Sequence, residues 1–347
     1  MSGEQAALAA VGRMATRSRR GSMDYELIAT LGPNSDGEPT WQAMLVAGAT
    51  GFRLNTSHLS LLQLHSWVER LGAFRATQDT VPPLVLDLQG SKWRLGQFPE
   101  CVLTDGQRVT LVCAASTDCR DTLPVPHPDF FRAASASSGQ IVLNDAKLRL
   151  VLETQGPEAL CARVIAGGAI LPRKGITYTS STYRHESLGD NDQAVVRNTR
   201  QLVGIRYAVS YVKDAVEMAH YRGQIGSSAH LIAKLERRPA LDEAARIAES
   251  ADELWLCRGD LGAELGAKAM AEAVHRFSGG VHALPAPVLL AGQVFEHMTE
   301  HATPTRAELC GAYDALRMGY RGFVLSDETA IGRDPVESCR VAGLFLG

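Results

Sequence analysis

The chain has no run of about 18 or more apolar residues, which excludes a membrane-spanning helix. It has no CxxC pair, and its seven cysteines (Cys101, Cys113, Cys119, Cys161, Cys257, Cys310 and Cys339) are an odd number. That usage argues against a disulfide framework or a zinc ribbon. It points instead to reduced thiols in a cytosolic protein, so a cytoplasmic location is expected. Charge of one sign is also scarce. A formal net charge of -3 provides no basic field for nucleic acid or for an anionic membrane surface, and neither is expected as a partner. No glycine-rich dinucleotide fingerprint follows an early apolar run. Apolar material is ample: 45% of the 347 residues are hydrophobic and 21% charged, enough for one large domain or two ordinary ones. The first 22 residues set Arg13, Arg17, Arg19 and Arg20 among small residues. They read either as a transit peptide or as a disordered tail ahead of Met23.

Eight short apolar runs punctuate the remainder: YELIAT (25–30), TGFRLN (50–55), PLVLDL (83–88), YAVSYV (207–212), HLIAKL (230–235), ELWLCRGD (253–260), PVLLAG (287–292) and GFVLSDE (322–328). Amphipathic segments lie between them, among them Leu59–Arg75, Asp242–Ala248 and Pro304–Met318, the last with Pro304 and Thr305 placed to start a helix. Strands that are apolar throughout and separated by helices imply a parallel sheet buried on both faces. Eight such units predict an α/β fold, a (β/α)8 TIM barrel. An open doubly wound sheet is the alternative, disfavoured by the missing fingerprint. Between Gly90 and Gly189 the pattern turns β-rich (CVLTDGQRVTLVC, GQIVLND, KLRLVLE, CARVIAGGAIL). This predicts a small β-barrel lid domain over 90–188, inserted after the third strand into a barrel formed by 23–89 and 189–347. The chain ends within the helix after the eighth strand, so no further domain is expected.

One stretch raises a chemical question. HLIAKLERR (230–238) begins as a buried strand and ends with Lys234 and Glu236, which share a face because strand residues alternate. A surface salt bridge would account for that pair alone. The other strand ends argue for more: Arg53 and Asn55, Asp87, Ser210, Asp260, and Ser326 with Glu328. Chemistry on such barrels gathers at the carboxyl ends of the strands. Glu236 and Asp260 end adjacent strands, and two carboxylates with waters and substrate oxygens are how Mg²⁺ is commonly held. Arg53 and Lys234 add positive charge suited to a phosphate. Arg258-Gly259-Asp260 offers backbone N–H groups at a helix start, a cradle for a carboxylate.

The motifs ATLGP (29–33), FRLNTSH (52–58), LDLQG (86–90), LIAKLE (231–236), RGDLGAE (258–264), PTRAE (304–308) and LSDETAIGRDP (325–335) resemble those of the pyruvate kinase family, in order and spacing. The resemblance implies that the inserted domain is a mobile lid. It implies that Lys234 contacts the transferring phosphoryl group, that Glu236 and Asp260 hold Mg²⁺ or Mn²⁺, and that the Gly259-Asp260 amides bind the carboxylate of phosphoenolpyruvate, with Ser210 beside the substrate. Arg53 would contact phosphate. Asn55, His58, Arg94, Asp145 and Lys174 would lie toward the phosphates of ADP or ATP.

Departures from the family are informative. A catalytic threonine implicated in protonating enolpyruvate is replaced by Gly292. Leu88 and Lys92 stand where potassium-dependent members carry Thr and Glu, so K⁺ is not expected to be required. The Lys92 ammonium would replace that ion near Asn55, Ser57 and Asp87. Gln89 and Ser91 replace Lys and Pro at the lid hinge, and Asp327 replaces a glycine. The family's C-terminal regulatory domain is missing, which leaves a homo-oligomer open. The resulting expectation is a metal-dependent phosphotransferase acting on phosphoenolpyruvate, pyruvate or a related keto acid. The alternatives are a metal-dependent lyase or aldolase on pyruvate-like acids, and a non-catalytic ligand-binding paralogue.

Overall fold

A computed structural model describes residues 25–134, 139–143, 148–178 and 188–345. The N-terminal tail and Asp145 lie outside the described residues. The first three strands are β1 (Glu26–Thr30), β2 (Gly51–Asn55) and β3 (Leu84–Leu88). The inserted domain follows with β4 (Cys101–Leu103), β5 (Arg108–Val112), β6 (Thr122–Pro124), β7 (Gln140–Leu143), β8 (Leu148–Thr154), β9 (Ala159–Ala166), β10 (Gly168–Ile170) and β11 (Ile176–Tyr178). The chain then resumes with β12 (Ile205–Val209), β13 (His230–Leu235), β14 (Glu253–Cys257), β15 (Val288–Ala291) and β16 (Gly322–Leu325). Strands β1, β2, β3 and β12 to β16 form a closed, all-parallel barrel of eight. This is the (β/α)8 architecture that the apolar runs predict.

Period-two alternation sorts each barrel strand into two sets of side chains. One set (Leu27, Phe52, Leu86, Leu231, Ala233, Leu254, Leu256) packs outward against the helices. The other (Ile28, Val85, Ala208, Ile232, Trp255, Leu289, Val324) fills the barrel interior. Both faces are therefore dry, which is why these strands read as unbroken apolar runs. The same parity puts the interior-facing residues above that plug (Thr30, Arg53, Asp87, Ser210, Lys234) at the carboxyl end, all facing inward. Below it, Glu26, Arg206, His230 and Glu253 face inward at the opposite end. Closure of the ring needs a glycine: β1 and β16 approach so closely that a Cβ on Gly322 would lie 1.8 Å from the Glu26 carbonyl oxygen.

The inserted domain has its own core, with a six-stranded sheet in the order β11-β7-β8-β9-β5-β6 and a ribbon of β4 and β10. A short helix, Pro128–Ala134, closes it by burying Phe130 and Phe131, with Phe130 edge-on to Trp93 at 5.3 Å. The domain joins the barrel at Gln89-Gly90, whose amides donate to the buried Asp192 carboxylate at 3.1 and 2.9 Å. A second tie is the 3.2 Å hydroxyl contact between Thr177 and Tyr211.

Three local readings shift. The fourth apolar run, expected at 207–212, is a strand at Ile205–Val209. Arg206 belongs inside the barrel bottom, and a left-handed Tyr211 (φ 64°) turns the chain away. Asp242–Ala248 is not one helix but parts of two short ones, Arg238–Asp242 and Ala244–Ile247, interrupted at Glu243. ELWLCRGD changes state midway, with strand to Cys257 and helix from Arg258 to Leu265. By contrast, Thr305 caps the helix Arg306–Arg317 in a capping box with Glu308.

Candidate active site

Asp87 is the hub. Its carboxylate accepts from Arg53 Nε at 2.8 Å and from Arg53 Nη2, from Lys234 Nζ at 3.0 Å and from Ser210 Oγ at 3.1 Å. Burial pushes this carboxyl up, but the Lys234 and Arg53 cations more than reverse it and hold it well below the usual carboxylate range. Arg53 is steadied on its other side by Thr30 Oγ1 at 2.8 Å. Lys234 also donates to Ser210 Oγ and contacts Glu236 Oε1, both at 2.9 Å. Burial alone would drive the lysine toward neutrality, yet Asp87 and Glu236 keep it charged, with its pKa above the ordinary value. The other Glu236 oxygen accepts the Tyr211 amide at 2.7 Å, made available by that residue's left-handed backbone.

Asp260 sits in the first turn of the helix Arg258–Leu265, and Lys92 from the lid hinge caps it with Nζ 2.6 Å from both carboxylate oxygens. The Lys92 ammonium is expected near Asn55, Ser57 and Asp87; the side chain it bonds is Asp260. The Ser57 hydroxyl is buried without a hydrogen-bond partner among the described residues, Asn55 Oδ1 accepts the Ser57 amide at 3.3 Å, and Leu88 is buried in the core outside the barrel. The His58 side chain lies outside the description.

Gly292 follows β15 with φ 77°, a left-handed conformation that favours glycine. A Cβ there would lie 3.1 Å from the Gly259 amide nitrogen and 3.2 Å from that of Arg258. Arg258 clamps this loop through Nε to the Gly292 carbonyl at 3.0 Å and Nη2 to that of Gln293 at 2.6 Å. Glu328 ties the last two strand ends together by accepting the Ser326 amide at 2.9 Å and the Phe295 amide at 3.3 Å. Its burial pushes the carboxyl up to about 7. Arg94 and Lys174 lie at the base of the inserted domain. Arg94 Nη1 donates to the Arg173 carbonyl at 3.0 Å, and the Lys174 carbonyl accepts the Leu95 amide. At the hinge, Gln89 Nε2 donates to the Lys92 carbonyl at 3.1 Å and Ser91 Oγ to that of Tyr211 at 3.0 Å.

Glu236 and Asp260 are the kind of donors that a small hard cation takes, and in this structure their oxygens are held by Lys234, the Tyr211 amide and Lys92. Burial, and to a lesser degree the nearby Asp260 charge, push the Glu236 carboxyl up against the pull of Lys234. Two carboxylates are the protein share of many Mg²⁺ sites, the remaining positions being water and substrate. Among the described residues no cluster of three or more His, Cys, Asp or Glu offers a richer cage. The strand-end reading missed Thr30, Tyr211, Asp192 and the Arg258 clamp. Each acts through long-range partners that local pattern does not reveal.

Comparison with known proteins agrees with this architecture. The family description "Pyruvate kinase, barrel domain" matches residues 23–339. The pyruvate kinase of Methylorubrum extorquens is 31% identical over 324 residues, covering 93% of this chain and 67% of that protein. Pyruvate kinase 2 of Synechocystis sp. is 29% identical, over 91% of this chain and 55% of that one. A third or more of each relative thus has no counterpart here. The crystal structure of pyruvate kinase from Pyrobaculum aerophilum shares the fold, with a TM-score of 0.78 at 23% identity over 94% of this chain and 74% of that chain. Among the described residues no helix is long and apolar enough to cross a membrane. The chain belongs to the pyruvate kinase family.

Proposed function

We propose that the protein is a metal-dependent phosphotransferase acting on phosphoenolpyruvate or a related keto acid, with ADP or ATP as partner. The observation that carries this reading is the inward-facing row of Arg53, Asp87, Lys234 and Glu236 beside Asp260. Glu236 and Asp260 would hold Mg²⁺ or Mn²⁺, which neutralises developing charge on the substrate oxygens when bound. Lys234 and Arg53 stand ready for the phosphoryl oxygens, already charged and already oriented by Asp87. Phosphoryl transfer is mostly positioning and charge stabilisation, so fixed cations of this kind are what the step needs. The Gly259 and Asp260 amides in the first helical turn would receive a carboxylate. Arg94, Lys174 and Asn55 face the nucleotide in this reading.

Gly292 favours a second reading. It offers no hydroxyl to relay a proton, and a positioned donor is typically worth about 10²–10⁴-fold in rate. Pyruvate formation would then be slow by about that factor, or the enolate would meet a different electrophile, as in a lyase or aldolase. Restoring threonine is a poor test, because φ 77° and the two nearby amides would strain any β-carbon. Calorimetry with Mg²⁺, oxalate and nucleotides is better. Oxalate mimics the enolate, so metal-dependent oxalate binding lost in Glu236→Gln supports the site. Nucleotide binding then favours the kinase over the lyase. Failure of oxalate to bind would leave only a degenerate ligand-binding role.

A further inference from the structure

The two carboxylates assigned to the metal differ in how they are already neutralised. Glu236 is matched by Lys234 from its own strand, two residues away and rigidly placed. Asp260 is matched by Lys92, which reaches it from the segment that leaves the barrel for the lid. The contact is two-pronged, with 2.6 Å to each oxygen, and Lys92 is only 7% exposed. It occupies both oxygens that a divalent ion would use.

The lysine stem also passes close to the returning segment of the inserted domain. Gly175, bridged antiparallel to Arg94, packs so tightly that a Cβ there would lie 2.5 Å from Lys92 Cε and 3.0 Å from Nζ. Lys92 thus runs between the outgoing and returning connections of the lid, and its own amide is bonded to the Gln89 carbonyl at 3.3 Å. The ammonium therefore reaches Asp260 along a path that both connections border.

Resting on the metal assignment above, we propose that Lys92 is a built-in counter-cation that competes with the divalent metal for Asp260 and couples metal uptake to lid position. A metal arriving at Asp260 displaces the ammonium, and the displaced lysine loosens the hinge at Gln89–Lys92 and its partner around Gly175. Metal affinity and lid mobility are then linked reciprocally, as any two states sharing one element must be.

The test is equilibrium Mn²⁺ binding followed by electron paramagnetic resonance, on the full chain, for wild type, Lys92→Met and Lys92→Met with Glu236→Gln. Coupling of this kind is commonly about 5- to 150-fold, so Lys92→Met should bind Mn²⁺ tighter by a factor in that range. The double variant should lose the gain. Hydrogen exchange supplies a second reading. In wild type, Mn²⁺ should speed exchange at the hinge amides 89–96 and 173–178, while in Lys92→Met those amides should exchange fast with or without metal. Equal or weaker Mn²⁺ binding in Lys92→Met overturns the competition while leaving the metal site standing. Tighter binding with no change in hinge exchange overturns the coupling to the lid. No Mn²⁺ binding in any variant overturns the metal assignment, and the competition with it.

Discussion

The two ends of the barrel interior carry the same kinds of side chain and do different things with them. At the bottom, Arg206 forks onto Glu26 at 2.7 and 3.1 Å and reaches Glu253 at 3.1 Å. Glu253 also accepts from Trp255 Nε1, and His230 Nε2 lies 3.4 Å away. All these groups come from barrel strands. At the top, Asp87, Glu236 and Asp260 face Arg53, Lys234 and Lys92, three against three, and the sixth partner belongs to the lid hinge. Charge at a strand end is therefore not the mark of a site. What distinguishes the top is a cation supplied from outside the barrel strands, by the segment that leads to the inserted domain, and helix amides beside the carboxylates. The bottom network has neither of these and reads as an internal staple.

Substitutions at each end should separate the two roles. The largest effect is expected at the top, where Lys234→Met should lower phosphotransfer by about 10²–10³-fold, the usual loss on removing one preorganised stabiliser. Lys234→Met also leaves the buried Asp87 and Glu236 without their ammonium, so it should destabilise at least as much as the bottom variant, and its rate is to be read on the folded protein. At the bottom, Arg206→Met leaves the buried Glu253 without its guanidinium and should cost ~3 kcal/mol of stability in urea unfolding. Its Mn²⁺ and oxalate affinities, measured on the folded protein, should match wild type. A loss of ligand affinity there would erase the distinction between the ends.

Glu328 gives a pH test. Its carboxyl sits at about 7 in the fold and near 4.5 when unfolded. Between those values the folded state holds a proton that the unfolded state does not, so stability falls as pH rises from about 4.5 to about 7 and then levels. Urea unfolding from pH 5 to pH 8 should lose ~2 kcal/mol through this group, and Glu328→Gln should flatten that slope. The smallest expected effect is that of K⁺. Replacing Na⁺ by K⁺ should leave the rate unchanged, since the Leu88 side chain brings no oxygen to that region. A strong rise with K⁺ would instead assign the unpartnered Ser57 hydroxyl as an ion ligand.

Much of this was legible in the residue pattern. Unbroken apolar strands led to the barrel, and parity within HLIAKLE put Lys234 and Glu236 on one face before any partner was known. Strand β12 was misplaced because inward charge at the bottom, Arg206, looks like a strand boundary to a reading based on apolar runs. That Lys92 bonds Asp260 was not legible, for a different reason. Its target depends on where a hinge aims a flexible side chain, which lies beyond local propensity. The short helix around Phe130 went unread in a region dominated by alternation.

The place of the lid in the sequence also bears on how the chain reaches its structure. Strands β3 and β12 pair directly from Leu84↔Ile205 to Leu88↔Val209, although the whole inserted domain lies between them. Joining them first would mean closing a very long floppy loop, whose entropic cost grows with the logarithm of its length. If the inserted domain, with its separate core, folds early, it brings Gln89 and the segment leading to β12 together and shortens that loop. The inserted domain would then serve as an assembly clamp, and a core lesion such as Phe130→Ala should slow barrel formation in refolding kinetics even though no barrel contact is touched.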